Sequence, residues 1–160
     1  MMQARAFVIA FTIAAAAGGA ALADDGAAAF RRCAVCHLPD GKGVPGAFPP
    51  LVGRVAKIAA TPAGRTYLVS VPSAGLSGKI VVGGVPYGGF MPRQEGVSSS
   101  ELAAALNYMA TELAGDSPPK EFKFFTTDEV EQLQRAAQTL KPADVLKLRG
   151  EVAGLGEAPK

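Results

Sequence analysis

The chain has 160 residues, 49% hydrophobic and 19% charged. That is apolar material for one ordinary domain and too much for a disordered chain. Sixteen basic and fourteen acidic residues give a net charge of +2, which leaves no basic footprint for nucleic acid. A single histidine excludes an enzyme built on several histidines, and two cysteines exclude a disulfide-dense scaffold.

Residues 1–23 read as a secretory signal. Arg5 supplies the positive start, Ala6 to Ala17 the apolar stretch, and Ala21-Leu22-Ala23 the small-x-small cleavage site. The run from Ala6 to Ala23 just reaches the length of a membrane span. Its richness in alanine and glycine favours cleavage after Ala23, with no membrane insertion afterwards. Asp25 to Arg32 predicts a short helix with Phe30 on its buried face. It runs into Cys33-Ala34-Val35-Cys36-His37. Leu38 to Pro50 is punctuated by proline and glycine and predicts a loop.

Thr61-Pro62 is a cap followed by proline at the first helical position, predicting a helix from Pro62 to about Val71, stopped by Pro72 to Gly78. Lys79 to Val82, Gly83-Gly84 and Val85 to Tyr87 predict a short hairpin. Gly88 to Pro92 predicts another loop. Ser98-x-x-Glu101 is a capping box. Behind it Leu102, Ala105, Leu106, Met109, Ala110 and Leu113 recur at helical spacing up to Gly115. Pro118-Pro119 opens an extension. One helix starts from Thr126-x-x-Glu129 and carries Val130 and Leu133. A second starts at Pro142 and carries Val145, Leu148 and Val152. Gly154 to Lys160 reads as a loose tail.

The chemistry lies in Cys-x-x-Cys-His, which in an exported chain reads as the attachment site of a c-type haem. Two thiols three residues apart reach two vinyl groups on one edge of the macrocycle, and His37 follows as an axial ligand. The rivals fare worse. A thioredoxin-like pair needs a strand before the cysteines. A zinc site needs four ligands, usually as two separated pairs. An inert disulfide remains open in an oxidising compartment. With no second histidine, the other axial ligand is sought among methionines. After signal removal the candidates are Met91 and Met109. Met109 lies on an apolar helical stripe, where methionine is usually core filling. Met91 lies in a glycine- and proline-rich loop, where a side chain is free to reach the iron, and is favoured.

The chain from about Gly26 to Leu113 resembles the class I c-type cytochromes. Gly26-x-x-x-Phe30-x-x-Cys33-x-x-Cys36-His37 is similar to that family's first helix and haem site. Pro49-Pro50-Leu51 is similar to its Pro-x-Leu segment. Tyr87-Gly-Gly-Phe-Met91-Pro92, followed by a capped helix with Asn107-Tyr108, is similar to its Met loop and last helix. The resemblance implies an all-α, cytochrome c-like haem domain, here with a small β-hairpin before the Met loop, and with first and last helices crossed so that Phe30 approaches Leu106 and Met109. It implies one covalent haem c bound through Cys33 and Cys36, with His37 and Met91 on the iron. The Pro49 carbonyl would accept a hydrogen bond from His37, and Leu51 would pack on the haem face. Tyr87, like Arg54 and Arg65, is a candidate partner for the haem propionates. Lys42, Lys57, Lys79 and Arg93 are candidates to steer an acidic partner.

The expected organisation is a signal peptide at 1–23, a haem domain at 24–115 and a helical extension at 116–160. The expected function is periplasmic electron transfer, with no bond made in a substrate. Its redox partners would be proteins: a dehydrogenase, an oxidase or another cytochrome. Two other readings stay open: the cytochrome subunit of a stable dehydrogenase complex docked through the extension, and a haem peroxidase or ligand sensor with a labile sixth ligand.

Overall fold

A computed structural model describes residues 18–115 and 121–155. Most of the signal, Pro118-Pro119 and the end of the tail lie outside those residues. The first helix, α1, spans Gly18–His37. It crosses α4, Ser99–Thr111, at a point where only glycine fits. A Cβ on Gly26 would lie 2.8 Å from the Tyr108 Cβ and 3.1 Å from the Ala104 carbonyl oxygen. The crossing brings the Phe30 and Tyr108 rings to 5.5 Å between centroids. It buries Phe30, Leu102, Leu106 and Met109 in one cluster with Val55, Val69, Phe125 and Val130. The expected meeting of Phe30 with the last helix of the domain is therefore present.

Helix α4 starts where its sequence predicts. The Glu101 amide donates to Ser98 Oγ at 3.2 Å, and the Ser98 amide donates to Glu101 Oε2 at 2.9 Å, so two amides without helical partners are satisfied reciprocally. A short helix α2, Val55–Ile58, is absent from the sequence reading; four residues give too little periodicity to detect. Helix α3 spans Pro62–Ala74, capped by Thr61, and contains Pro72. The expected stop at Pro72 is thus three residues early. In a last turn proline removes a single intrahelical bond, and the chain turns out of the helix only at Gly75, with φ 84°.

The strands are short and antiparallel. Strands β2 (Ile80–Val82) and β3 (Val85–Tyr87) form the expected hairpin, with Val82 opposite Val85. Gly83 and Gly84 both have positive φ, as a tight two-residue turn requires. Strands β1 (Leu76–Ser77) and β4 (Phe90–Met91) pair Leu76 with Met91. This corrects the reading of Gly88 to Pro92 as loop throughout. The pairing is decided by tertiary contact: a Cβ on Gly75 would lie 2.8 Å from the Met91 carbonyl oxygen.

The C-terminal segment folds back onto the rest. Helices α5 (Thr127–Ala137) and α6 (Pro142–Glu151) both pack on α3, and α5 also touches α4. A second core cluster joins Tyr67, Leu76, Ile80, Val82 and Tyr87 to Val145, Val152 and Leu155. Leu155 is buried, so the tail is anchored at its described start. Arg65 is the clasp between α3 and the returning chain. Its Nε and Nη2 donate to the two Glu129 carboxylate oxygens at 2.6 and 2.7 Å. Its Nη1 donates to the Lys123 carbonyl at 2.9 Å, and its guanidinium lies 3.7 Å from the Phe125 ring centroid.

The hydrogen bond from Arg65 holds the Glu129 carboxyl below its ordinary value. A depressed carboxyl contributes stability above its unfolded value and loses it as pH falls through the folded one. Glu129→Gln is expected to destabilise the holoprotein by about 2–3 kcal/mol at neutral pH, less than for a fully enclosed pair because Glu129 is partly exposed. Thermal melts of both proteins across acid pH check this: the gap should narrow once pH drops below about 4, the ordinary range of a glutamate.

Candidate functional site

Cys33, Cys36 and His37 form the last turn of α1, so the helix contains the motif instead of stopping before it. It ends because Leu38 takes a left-handed conformation, φ 64°. Two backbone bonds then reverse the chain, from the Gly41 amide to the Leu38 carbonyl and from the Gly43 amide to the His37 carbonyl. Cys33 is half-buried and Cys36 exposed, and the two are not joined in a disulfide. Burial raises the Cys33 pKa, and the Arg32 charge opposes it.

His37 is buried. Its Nδ1 lies 2.8 Å from the Pro49 carbonyl oxygen. A carbonyl only accepts, so Nδ1 carries the proton and Nε2 is the nitrogen free to bind a metal. Burial holds the His37 pKa below its ordinary value, opposed by the Pro49 bond, and so favours the neutral, ligating form. Pro49 is in turn held by its neighbours. The Leu51 amide donates to the Gly41 carbonyl at 2.7 Å, and Val44 bridges Phe48. The expected link between His37 and Pro49 is therefore a feature of the fold.

The interior divides into two clusters, and the predicted site residues divide with them. Cys33 and Leu51 pack on the first, Tyr87 and Met91 on the second. Met109, the other candidate ligand, is enclosed in the first cluster with Phe30 and Leu106. Large apolar side chains are exposed on the same segments that carry the donors: Leu38, Val44 and Phe48 after His37, and Phe90 beside Met91. Phe48 stands 6.5 Å from His37 between ring centroids. Two thiols, a freed imidazole nitrogen, a thioether and an apolar surround suit an iron porphyrin held by two thioethers. The residues present fit that group.

The polar candidates are sorted differently by the structure. The Arg65 guanidinium is engaged with Glu129 and the chain at 123–125, which corrects its reading as a propionate partner. Arg54 and Tyr87 instead belong to a cluster that the sequence does not disclose. Burial raises the pKa of Tyr67, opposed by the charges of Arg149 and Arg54. Burial and the like charge of Arg149 lower that of Arg54, while Tyr67 and Tyr87 raise it. Arg149 is 5% exposed. A signal for it existed: Arg149 stands between Val145 and Val152 on the buried face of α6. Lys57 and Lys79 are exposed. Lys42 pairs with Asp40, and Arg93 with Glu95.

Comparison with known proteins gives one family and consistent relatives. The family profile described as "Cytochrome c" matches residues 23–112. The chain is 46% identical over 133 residues to a "Cytochrome c-552" of Thermus thermophilus, covering 82% of this chain and 88% of that one. It is 45% identical over 125 residues to another "Cytochrome c-552" of the same species, covering 78% and 94% respectively.

Gly43 tests the support of His37. It has φ 64°, and a Cβ there would overlap the Phe48 carbonyl oxygen and lie 2.8 Å from that of Pro49. Gly43→Ala is expected to destabilise by more than the ~1–2 kcal/mol of a left-handed alanine. It should also displace the Pro49 carbonyl, read as a shift or broadening of the His37 Nδ1–H proton resonance.

Proposed function

The chain belongs to the cytochrome c family and is a haem-based electron carrier, and from that premise we propose that it works in the periplasm with iron held between His37 and Met91. Single electrons would come from a dehydrogenase or respiratory complex and leave to an oxidase or another cytochrome. The haem c, bound covalently as in the family, supplies a one-electron Fe(III)/Fe(II) couple.

The observation that carries the ligand reading is the pairing of two held donors. His37 presents Nε2 because Nδ1 is committed to Pro49 at 2.8 Å. That bond orients the ring and makes the imidazole a stronger donor. Met91 is held by its ladder with Leu76 and by close packing on Gly75. Cys33 and Cys36 tether the macrocycle, and Leu51 supplies apolar cover on the His37 side. Held there, His37 and Met91 would leave the iron no open position for O₂ or peroxide, which favours a carrier over a peroxidase or ligand sensor.

Residues 1–23 serve as the export signal in this reading, and among the described residues no helix is long and apolar enough to cross a membrane. Residues 24–115 are the haem domain and 116–160 the extension. The extension's apolar residues Val130 and Val145 are fully buried against the chain's own helices. That supports a cap on the carrier over an arm that docks it into a stable dehydrogenase complex.

Protein expressed with a cytochrome maturation system should give the pyridine haemochrome spectrum of one haem c per chain. Its ferric form should show the long-wavelength charge-transfer band of His/Met ligation. Met91→Ala should keep the haem, lose that band, turn high-spin or water-ligated and fall in potential. Met109→Ala should keep the band and lose roughly 2–5 kcal/mol of stability. A band that disappears with Met109 and survives without Met91 would reverse the assignment.

A further inference from the structure

The chain on both sides of Met91 is pinned to the region where α3 ends. Before the turn out of the ladder, Met91 pairs with Leu76. After it, the Gln94 amide donates to the Pro72 carbonyl at 2.7 Å. The Arg93 guanidinium donates to the Ser73 carbonyl, through Nε at 3.2 Å and Nη2 at 2.9 Å. Pro72 and Ser73 lie in the last turn of α3, where carbonyls lack partners within the helix and gather its partial negative charge. That turn holds no basic residue of its own, so Arg93 supplies the cation from another segment. The same segment also reaches α1: Arg32, next to Cys33, donates through Nη1 to the Glu95 carbonyl at 3.0 Å. Cys33, Pro72 and Gln94 border one cavity of about 240 Å³, so this link from α3 to α1 passes beside the tethering cysteine.

We propose that Arg93 is a positioning residue for Met91: with Arg32 it makes residues 93–95 a strut that holds the sulfur donor against the half of the protein carrying His37. The proposal rests on the reading of Met91 as an iron ligand, and deepens it by naming what keeps that ligand in place. The ladder with Leu76 alone leaves the chain free to hinge at Met91. A second anchor two residues further on removes the hinge. Holding a segment in its bound conformation cuts the ordering cost of binding. The anchor therefore sets how often the Met91 segment opens, a local event with a free energy of its own, below that of global unfolding. The Arg93 side chain is 46% exposed and belongs to neither core cluster, so its removal tests this task without emptying the interior.

The test uses ferric holoprotein and free imidazole as the probe. At saturating imidazole, the rate at which the His/Met charge-transfer band disappears reports opening of the Met91 segment. Arg93→Gln is expected to keep the band at rest and to raise that limiting rate about tenfold, equivalent to about 1.4 kcal/mol of opening free energy. On heating, its band should be lost well before the helical signal. Arg93→Lys should recover part of the difference, since an ammonium keeps the charge but not the two-point grip. Arg32→Gln should raise the rate as well, and the double variant should fall short of the two effects added, as for residues acting on one segment. Arg135→Gln, which removes a surface arginine paired with Glu131 on α5, should match the wild type. If Arg93→Gln lowers only the melting temperature and leaves the exchange rate unmoved, or if Arg135→Gln speeds exchange equally, the proposal fails alone. A wild type without the band, or a Met91→Ala protein that keeps it, overturns the ligand reading and this proposal with it.

Discussion

The hydrogen bond between His37 Nδ1 and the Pro49 carbonyl, 2.8 Å long, ties the end of α1 to the loop that follows it. Without it the imidazole could rotate and either ring nitrogen could carry the proton. With it, one nitrogen is committed and the other is presented. The surrounding backbone serves this bond. Leu38 and Gly43 take left-handed conformations, the chain folds back through bonds from Gly41 and Gly43, and no side chain fits at Gly43. A motif of five consecutive residues therefore works only inside a loop that reaches twelve residues beyond it.

The second organising feature is a divided interior. One cluster forms where α1 crosses α4; the other lies among α3, the strands and α6. Each holds part of the predicted site, with Cys33 and Leu51 on one and Tyr87 and Met91 on the other. The C-terminal segment contributes to both, through Phe125 and Val130 in the first and Val145 and Val152 in the second. Arg65 and Arg149 belong to this bracing but in opposite ways. Arg65 meets a carboxylate within the chain, Glu129. Arg149 meets the backbone carbonyls of Val81 and Leu155 and the Tyr67 side chain, so it clasps α6 to α3 and the hairpin without a carboxylate partner among the described residues.

The legible parts of this protein are those written in neighbouring residues. Ser98 with Glu101 and Thr126 with Glu129 mark helix starts because cap and partner lie within one turn. Gly83-Gly84 marks the hairpin because a two-residue turn needs positive φ there. Cys33, Cys36 and His37 announce a haem because their spacing is itself the chemistry. The misreadings have one source. Pro72 was expected to end α3, but a proline in a last turn is tolerable once the chain continues into β1. Met91 was expected in a loop, but Leu76, fifteen residues earlier, supplies its strand partner.

By itself, then, the sequence determined the helices with capped starts, the hairpin, the attachment motif and the family resemblance, because each depends on covalent spacing or on bonds within a few residues. The tertiary structure decided what Arg65, Arg149, Tyr67 and Met91 touch. The bond from Arg65 to Glu129 spans 64 positions and that from Arg149 to Val81 spans 68. No local pattern encodes such a meeting. It follows from how whole helices bury their apolar faces, and an arginine on such a face acquires its role only once the opposite wall is in place.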